Sequence, residues 1–184
     1  LPFVAHGHSA MRQQFPYIEM DSRGAFAQLV AHLVARGHRR IAYIGAPEGI
    51  TLQAERYAGY RDGLAAVGIE LDPDLVASGD LTRPGGYEAA RRLLDLSRPP
   101  TAILGANDLT AIGVLRAAAE KGLRVGVDLA VAGYDGTQDS AHTQPPLTTL
   151  KQPTYDTARR LVRMLLSTIN GQPLEERRII VEPQ

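Results

Sequence analysis

Short apolar runs alternate along most of this chain with longer stretches in which apolar residues recur every three or four positions. The first pattern marks strands buried on both faces, and the second marks amphipathic helices laid over them. Their alternation predicts an α/β fold: a doubly wound, mostly parallel sheet with helices on both faces. Strands are expected over 3–5, 17–20, 40–45, 75–77, 101–104, 129–132 and 178–181. A first helix follows Asp21 as N-cap, lines up Phe26, Leu29, Val30, Leu33 and Val34, and stops at Gly37. A second, over about 52–67, turns Tyr57, Leu64 and Ala65 inward and stops at Gly68. The third, after Pro84, carries Tyr87, Ala90 and Leu94 and is broken by Pro99 and Pro100. A fourth, capped by Asp108, places Leu109, Ile112, Leu115 and Ala119 on its stripe and ends at Gly122. The segment 134–146 reads as a long loop. Behind Gln152 and Pro153, a last helix bears Tyr155, Ala158, Leu161, Leu165 and Ile169 and ends at Gly171.

This rhythm also divides the chain. Strands 3–5 and 17–20 come with little of the helical cover that a parallel sheet requires, and the last helix and strand look like members of the same second unit. Asp21 and Gln152 therefore mark the expected crossovers. They bound a main unit of 21–152 and a second unit made of 1–20 and 153–184. The chain has 184 residues, in the range of one ordinary domain. Lys plus Arg and Asp plus Glu are both 20, so the net charge is zero. A module that grips phosphates by itself carries a basic surplus, so this chain is not expected to hold DNA unaided. Cysteine is absent, which excludes disulfides, thiolate metal sites and cysteine nucleophiles and fits a reducing compartment. No apolar run approaches the roughly 20 residues that span a bilayer, so no membrane partner is expected.

Candidate chemistry collects where strands stop. In 100–108 and again in 130–136, an apolar run ends at Asn or Asp, just beyond the carboxyl end where open α/β sheets bind small molecules. Arg56 lies early in the helix behind strand 40–45, and its planar fork suits vicinal hydroxyls or a carboxylate. The amide of Asn107 both donates and accepts, as a sugar hydroxyl does, while Asp108 reads as a helix cap. Asp135 offers a carboxylate to two adjacent hydroxyls, with a turn at Asp135 and Gly136 as the plainer reading. Gln152 sits at a crossover, and Leu81 can provide an apolar wall against a sugar ring or simply join the core. Other combinations fall short. His6 and His8 share a strand face without a third metal ligand of matching spacing. Asp139, Ser140 and His142 have triad residue types but no nucleophile elbow. His38, Arg39 and Arg40 suit a helix C-terminus, and 45–49 lacks the Lys and Ser or Thr of a P-loop. No cofactor, metal or catalytic residue is assigned.

The phrases 33–45, 55–61, 100–113, 122–125, 128–135 and 145–153 together resemble the lactose-repressor (LacI/GalR) family of bacterial transcription regulators, in its effector-binding part. That resemblance implies a periplasmic-binding-protein-like fold of two subdomains around an effector cleft, with 21–152 as the C-terminal subdomain. Residues 1–20 and 153–184 would then be part of the N-terminal one. By position Arg56, Asn107 and Asp135 match the family's sugar-contacting Arg, Asn and Asp, and Gln152 and Leu81 match more variable pocket positions. Leu81 stands where many relatives carry an aromatic residue, which leaves the ligand's identity open. The implied protein is a cytoplasmic repressor that senses a sugar-like effector, forms a homodimer, and binds operator DNA through a helix-turn-helix domain absent from this chain. Two alternatives stand beside it: a transporter's periplasmic sugar-binding protein, and an enzyme with Asp135 or Asp108 as general base. The second lacks any partner group that would tune either carboxylate.

Overall fold

Strands that are apolar on both faces must be covered on both faces, and the observed layers do this. The computed structural model describes residues 1–7, 15–47 and 49–184. In chain order the elements are β1 (Ala5–His6), β2 (Tyr17–Met20), α1 (Ser22–Ala35), β3 (Ile41–Gly45), α2 (Thr51–Ala66), a 3-10 turn (Pro73–Leu75), β4 (Val76–Ser78) and α3 (Arg83–Leu94). They continue with β5 (Ala102–Gly105), α4 (Asp108–Glu120), β6 (Ala130–Asp135), α5 (Gln138–Ala141), β7 (Thr148–Lys151), α6 (Thr154–Ile169) and β8 (Arg178–Val181). Two compact units result: Ser22–Lys151, and Leu1–Asp21 with Gln152–Gln184.

In the larger unit five parallel strands are ordered β4-β3-β5-β6-β7. Side chains alternate across them as the pleat requires. Ile41, Tyr43, Leu104, Ala132 and Tyr134 pack with Phe26, Leu29 and Val30 of α1 and Tyr60 and Leu64 of α2. On the opposite face Ala42, Ile44, Ile103 and Val131 pack with Ala89, Ala90 and Leu93 of α3 and Ala111, Val114 and Ala118 of α4. Strand order runs outward in opposite directions from β3 and β5, so their boundary is the topological switch point, where a crevice opens at the carboxyl ends. Each helix pair is drawn close by small residues. A Cβ on Gly59 of α2 would collide with the Arg23 carbonyl of α1, and one on Gly113 of α4 would collide with the Arg83 carbonyl of α3.

That closeness corrects the expected face of α4. The buried side is Asp108, Thr110, Ala111, Gly113, Val114, Ala117 and Ala118, while Leu109 is 37% exposed, Ile112 and Leu115 are half-buried and Ala119 is exposed. Small side chains buried here allow tight packing on α3, Ile112 and Leu115 pack at the margin of the core, and Leu109 is turned outward. Asn107, rather than Asp108, is the N-cap: its Oδ1 accepts a hydrogen bond from the Thr110 backbone N–H at 2.9 Å. Similarly, Ala65 of α2 faces solvent, and Tyr60 takes the buried place. The expected long loop 134–146 is shorter, because β6 extends through Asp135 and α5 forms within it. Residues 148–151 add an edge strand, whose half-exposed Thr-Thr-Leu-Lys composition hides it from a search for apolar runs. β4 begins one residue later than expected because Asp72 initiates the 3-10 turn ahead of it.

The smaller unit is a parallel sheet ordered β1-β2-β8, with α6 against β2. Residues 3 and 4 of the expected first strand lie outside it. Thr157 and Met164 are the buried positions of α6, and Leu161 and Leu165 are half-buried. Tyr155, Ala158 and Ile169, expected inward, are exposed. No helix among the described residues is long and apolar enough to cross a membrane. Gly113→Val is expected to destabilise the larger unit by about 1–3 kcal/mol through overpacking between α3 and α4. Leu109→Ala on the outer face should stay within about 0.5 kcal/mol. Urea denaturation with equal m-values would check both, and a neutral Gly113→Val would show that the α3–α4 contact is not close.

Candidate functional site

Arg56 occupies an inward position of α2, in register with Gly59, Tyr60, Gly63 and Leu64. A charged residue on a core-facing stripe has to be satisfied by what the sheet edge offers. Here Arg56 is 5% exposed, and its guanidinium donates from Nη1 to the Ala106 carbonyl at 2.6 Å. It lies 4.6 Å from the centroid of the Tyr134 ring and 5.7 Å from that of Phe26. Nη2 is 3.7 Å from Oδ1 of Asp135. The buried Nε has no hydrogen-bond partner. Burial pushes this guanidinium below its ordinary range, and Asp135 with the neighbouring tyrosines pulls the other way. An arginine does not give up its proton in a protein. The site therefore holds a cation whose desolvation is compensated only in part.

The same interaction joins three strand ends. Arg56 follows β3, Ala106 follows β5, and Asp135 closes β6, so one side chain spans the switch point and reaches the next strand. Asn107 stands beside Ala106 and is 9% exposed. Besides capping α4 it donates from Nδ2 to the Leu81 carbonyl at 3.1 Å. Leu81 has φ 66, its side chain is half-buried, and it packs against the α1–α2 core. Asp135 has φ 125. These are the non-glycine residues with positive φ among those described, and both belong to the candidate set. Backbone strain of this kind persists only where the surroundings enforce it, and it concentrates at binding sites. Gln152 belongs to the smaller unit.

Several participants were not legible in the sequence. Tyr134 and Phe26 form the aromatic bed of Arg56, each looking like ordinary core. Gln53 accepts from the Tyr43 hydroxyl at 2.9 Å and the Ala46 N–H at 2.8 Å, which pins the turn after β3. Asp108 is fully buried and accepts from the Thr137 N–H at 2.7 Å, the Thr137 hydroxyl at 2.9 Å and the Thr149 hydroxyl at 2.6 Å. Its spacing behind Asn107 does suit a helix start. Its three donors come from segments far along the chain.

The other combinations find structural employment. Ser140 donates its hydroxyl to the Thr137 carbonyl at 2.6 Å, and Asp139 pairs with Arg83. His38 pairs with the Thr101 hydroxyl at 3.2 Å, and Arg40 binds Asp72 at 3.0 Å and the Arg98 carbonyl at 2.7 Å. His8, and Glu48 of the 45–49 segment, lie outside the described residues. Among those described, no group of three or more potential ligands is placed to hold a metal ion. Asp108→Ala is expected to destabilise the larger unit by about 1–3 kcal/mol, since half-buried donors on Thr137 and Thr149 lose their acceptor. Asp139→Ala, at an exposed ion pair, should stay within about 1 kcal/mol. Chemical denaturation of both variants gives the comparison, and equal midpoints would show that the Asp108 contacts are not formed.

Known proteins share this fold and much of this sequence. A family model described as a periplasmic binding protein-like domain matches residues 30–184. The HTH-type transcriptional regulator CelR of Thermobifida fusca is 37% identical over 184 residues, covering 99% of this chain and 54% of that protein. The HTH-type transcriptional repressor CytR of Escherichia coli (strain K12) is 37% identical over 171 residues, covering 93% of this chain and 50% of that one. The chain thus spans about half the length of these curated relatives. Among solved structures, a LacI-family regulatory protein from Chloroflexus aggregans superimposes with a TM-score of 0.96 at 34% identity, over 100% of this chain and 66% of that one. A CelR–cellobiose complex superimposes with a TM-score of 0.93 at 36% identity, over 100% of this chain and 57% of that one. With sheet order, helical cover and sequence in agreement, the chain belongs to the periplasmic binding protein-like family, in the form that makes the effector-binding domain of LacI-type transcriptional regulators.

Proposed function

We propose that this chain senses a sugar-like effector for a DNA-binding transcriptional repressor, and that Arg56, Asn107 and Asp135 hold that effector. The observation that carries the reading is the partly compensated Arg56 cation at the switch point, 3.7 Å from the Asp135 carboxylate. A guanidinium, a carboxylate and a side-chain amide together supply the donors and acceptors that vicinal hydroxyls need. Leu81 provides an apolar wall. In this reading 22–151 is the C-terminal effector subdomain, and the remaining residues belong to the N-terminal subdomain.

The named relatives are HTH-type regulators, which favours regulation over a transporter's sugar-binding protein. The cellobiose complex of the CelR relative makes disaccharides the first effector class to try. The further partners are a second copy of the chain and operator DNA, the latter through a helix-turn-helix domain outside these residues, in the cytoplasm. Exposed Leu109 on α4, beside the half-buried Ile112 and Leu115, supports a homodimer. Catalysis has no support in the site, because Asp108 is consumed by three donors and Asp135 faces a cation. An effector acts on DNA affinity by binding one arrangement of the protein better than another, since only differential affinity shifts a conformational equilibrium.

Calorimetric titration of the chain with cellobiose and a panel of other mono- and disaccharides tests this reading. Binding of a saccharide is expected. Arg56→Lys, which loses the planar fork, and Asp135→Ala, which loses the acceptor, should each weaken it by about 1–3 kcal/mol. Absence of binding across the panel, or unchanged affinity in both variants, would overturn the assignment.

A further inference from the structure

The Asp135 carboxylate is presented from a backbone with φ 125, a conformation that an L-residue keeps only under constraint. The constraint is visible on the two residues that follow. The Gly136 N–H donates to the Thr149 hydroxyl oxygen at 3.3 Å, and the Thr137 N–H donates to Oδ2 of Asp108 at 2.7 Å. Thr149 in turn donates its hydroxyl proton to Oδ1 of Asp108 at 2.6 Å. Asp108 is set by the helix start that Asn107 caps. A chain of hydrogen bonds thus runs from the α4 N-terminus through Asp108 and Thr149 to the peptide immediately after Asp135. Arg56 closes a ring, bound to the Ala106 carbonyl on one side and facing Asp135 on the other.

Each member of this relay is shaped for its place. Thr149 sits on β7, where the register sets Gly133 against Thr149 and Asp135 against Lys151, so its hydroxyl stands alongside the turn it holds. Its oxygen accepts from Gly136 while its proton goes to Asp108, which uses both capacities of one hydroxyl. Valine has the same shape and neither capacity. Serine has both. Asp108 bears no solvent-exposed surface, so the acceptor end of the relay is shielded from water, while Thr149 and Gly136 are half-buried.

We propose that Asp108 and Thr149 are positioning residues of the effector site, acting through the backbone of Asp135 and touching no effector themselves. This rests on the reading that Asp135 binds the effector. Loss of the Thr149 hydroxyl lets Asp135 relax toward extended backbone and turns its carboxylate away from Arg56, and affinity falls without any change in the groups that contact the ligand.

The test has a ligand-free arm and a ligand arm. In the isotopically labelled chain, the coupling between the amide proton and Hα of Asp135 is small at φ 125 and large for extended backbone. It is expected to be small in the unaltered chain and in Thr149→Ser, and large in Thr149→Val. A small coupling in Thr149→Val overturns the proposal whatever the effector proves to be. In the ligand arm, cellobiose is titrated into the unaltered chain, Thr149→Val, Thr149→Ser, Asp135→Ala and the Thr149→Val/Asp135→Ala double variant. Thr149→Val should weaken binding about tenfold, of the order of one lost hydrogen bond. Thr149→Ser should restore it, and the loss should vanish in the Asp135→Ala background. An equal loss in both backgrounds means that Thr149 acts on stability alone and overturns the proposal. Loss of binding in Thr149→Val with no effect of Asp135→Ala would instead remove Asp135 from the site and leave the coupling result to stand by itself.

Discussion

A guanidinium taken out of water at the edge of a parallel sheet is the constraint around which the larger unit is arranged. Burying a charge is unfavourable unless neighbouring groups replace its hydration, and Arg56 obtains that replacement piecemeal. One N–H goes to the Ala106 carbonyl, the flat face lies against Tyr134 and Phe26, and Asp135 supplies a counter-charge at 3.7 Å. That separation is longer than a direct hydrogen bond. The cation is held firmly in place, and its buried Nε is left without a hydrogen-bond partner.

The sheet order explains why this happens at one point only. Helices flanking β3 and β5 leave on opposite faces, so the carboxyl ends of these strands are not roofed by their own connections. Close helix packing fixes the rest. Gly59 brings α2 against α1 and so sets the height of Arg56 over the sheet, while Gly113 brings α4 against α3 and sets the start of α4, where Asn107 and Asp108 lie. Small displacements of either helix pair would be felt at the site directly, because dense interiors transmit strain.

The ends of strands do two different tasks with chemically similar residues. Asn107 and Asp108 are adjacent, both are buried, and both accept hydrogen bonds from backbone N–H groups. Asn107 spends its oxygen on the helix cap and keeps its amide for the Leu81 carbonyl at the rim. Asp108 turns inward, where its charge is met by the N-terminus of α4 and two threonines. The division of labour follows from direction alone: one side chain leaves the helix start toward the crevice, the next toward β6 and β7.

The alternation of apolar runs and amphipathic stretches was sufficient for the fold class, for β3, β5 and β8, and for the start and end of most helices, because periodicity and Gly, Pro and cap residues act locally. It was sufficient also to place Asn107 and Asp135 at strand ends, since a strand's last apolar residue is read directly, and to place Arg56 early in the helix behind β3. It failed on the phase of α4 and α6 and on β7. Leu109 is larger and more apolar than the alanines and glycine buried on α4, and Tyr155 and Ile169 are exposed while Thr157 is buried on α6, because which face of a helix is inward depends on how near its neighbour can come. The edge strand carries two threonines and a lysine because only half of it is covered. The aromatic bed under Arg56, the positive φ of Leu81 and Asp135, and the Asp108–Thr149–Gly136 relay were decided by the tertiary structure alone. Each of them depends on residues tens of positions apart meeting at one edge, and local pattern carries no record of such meetings.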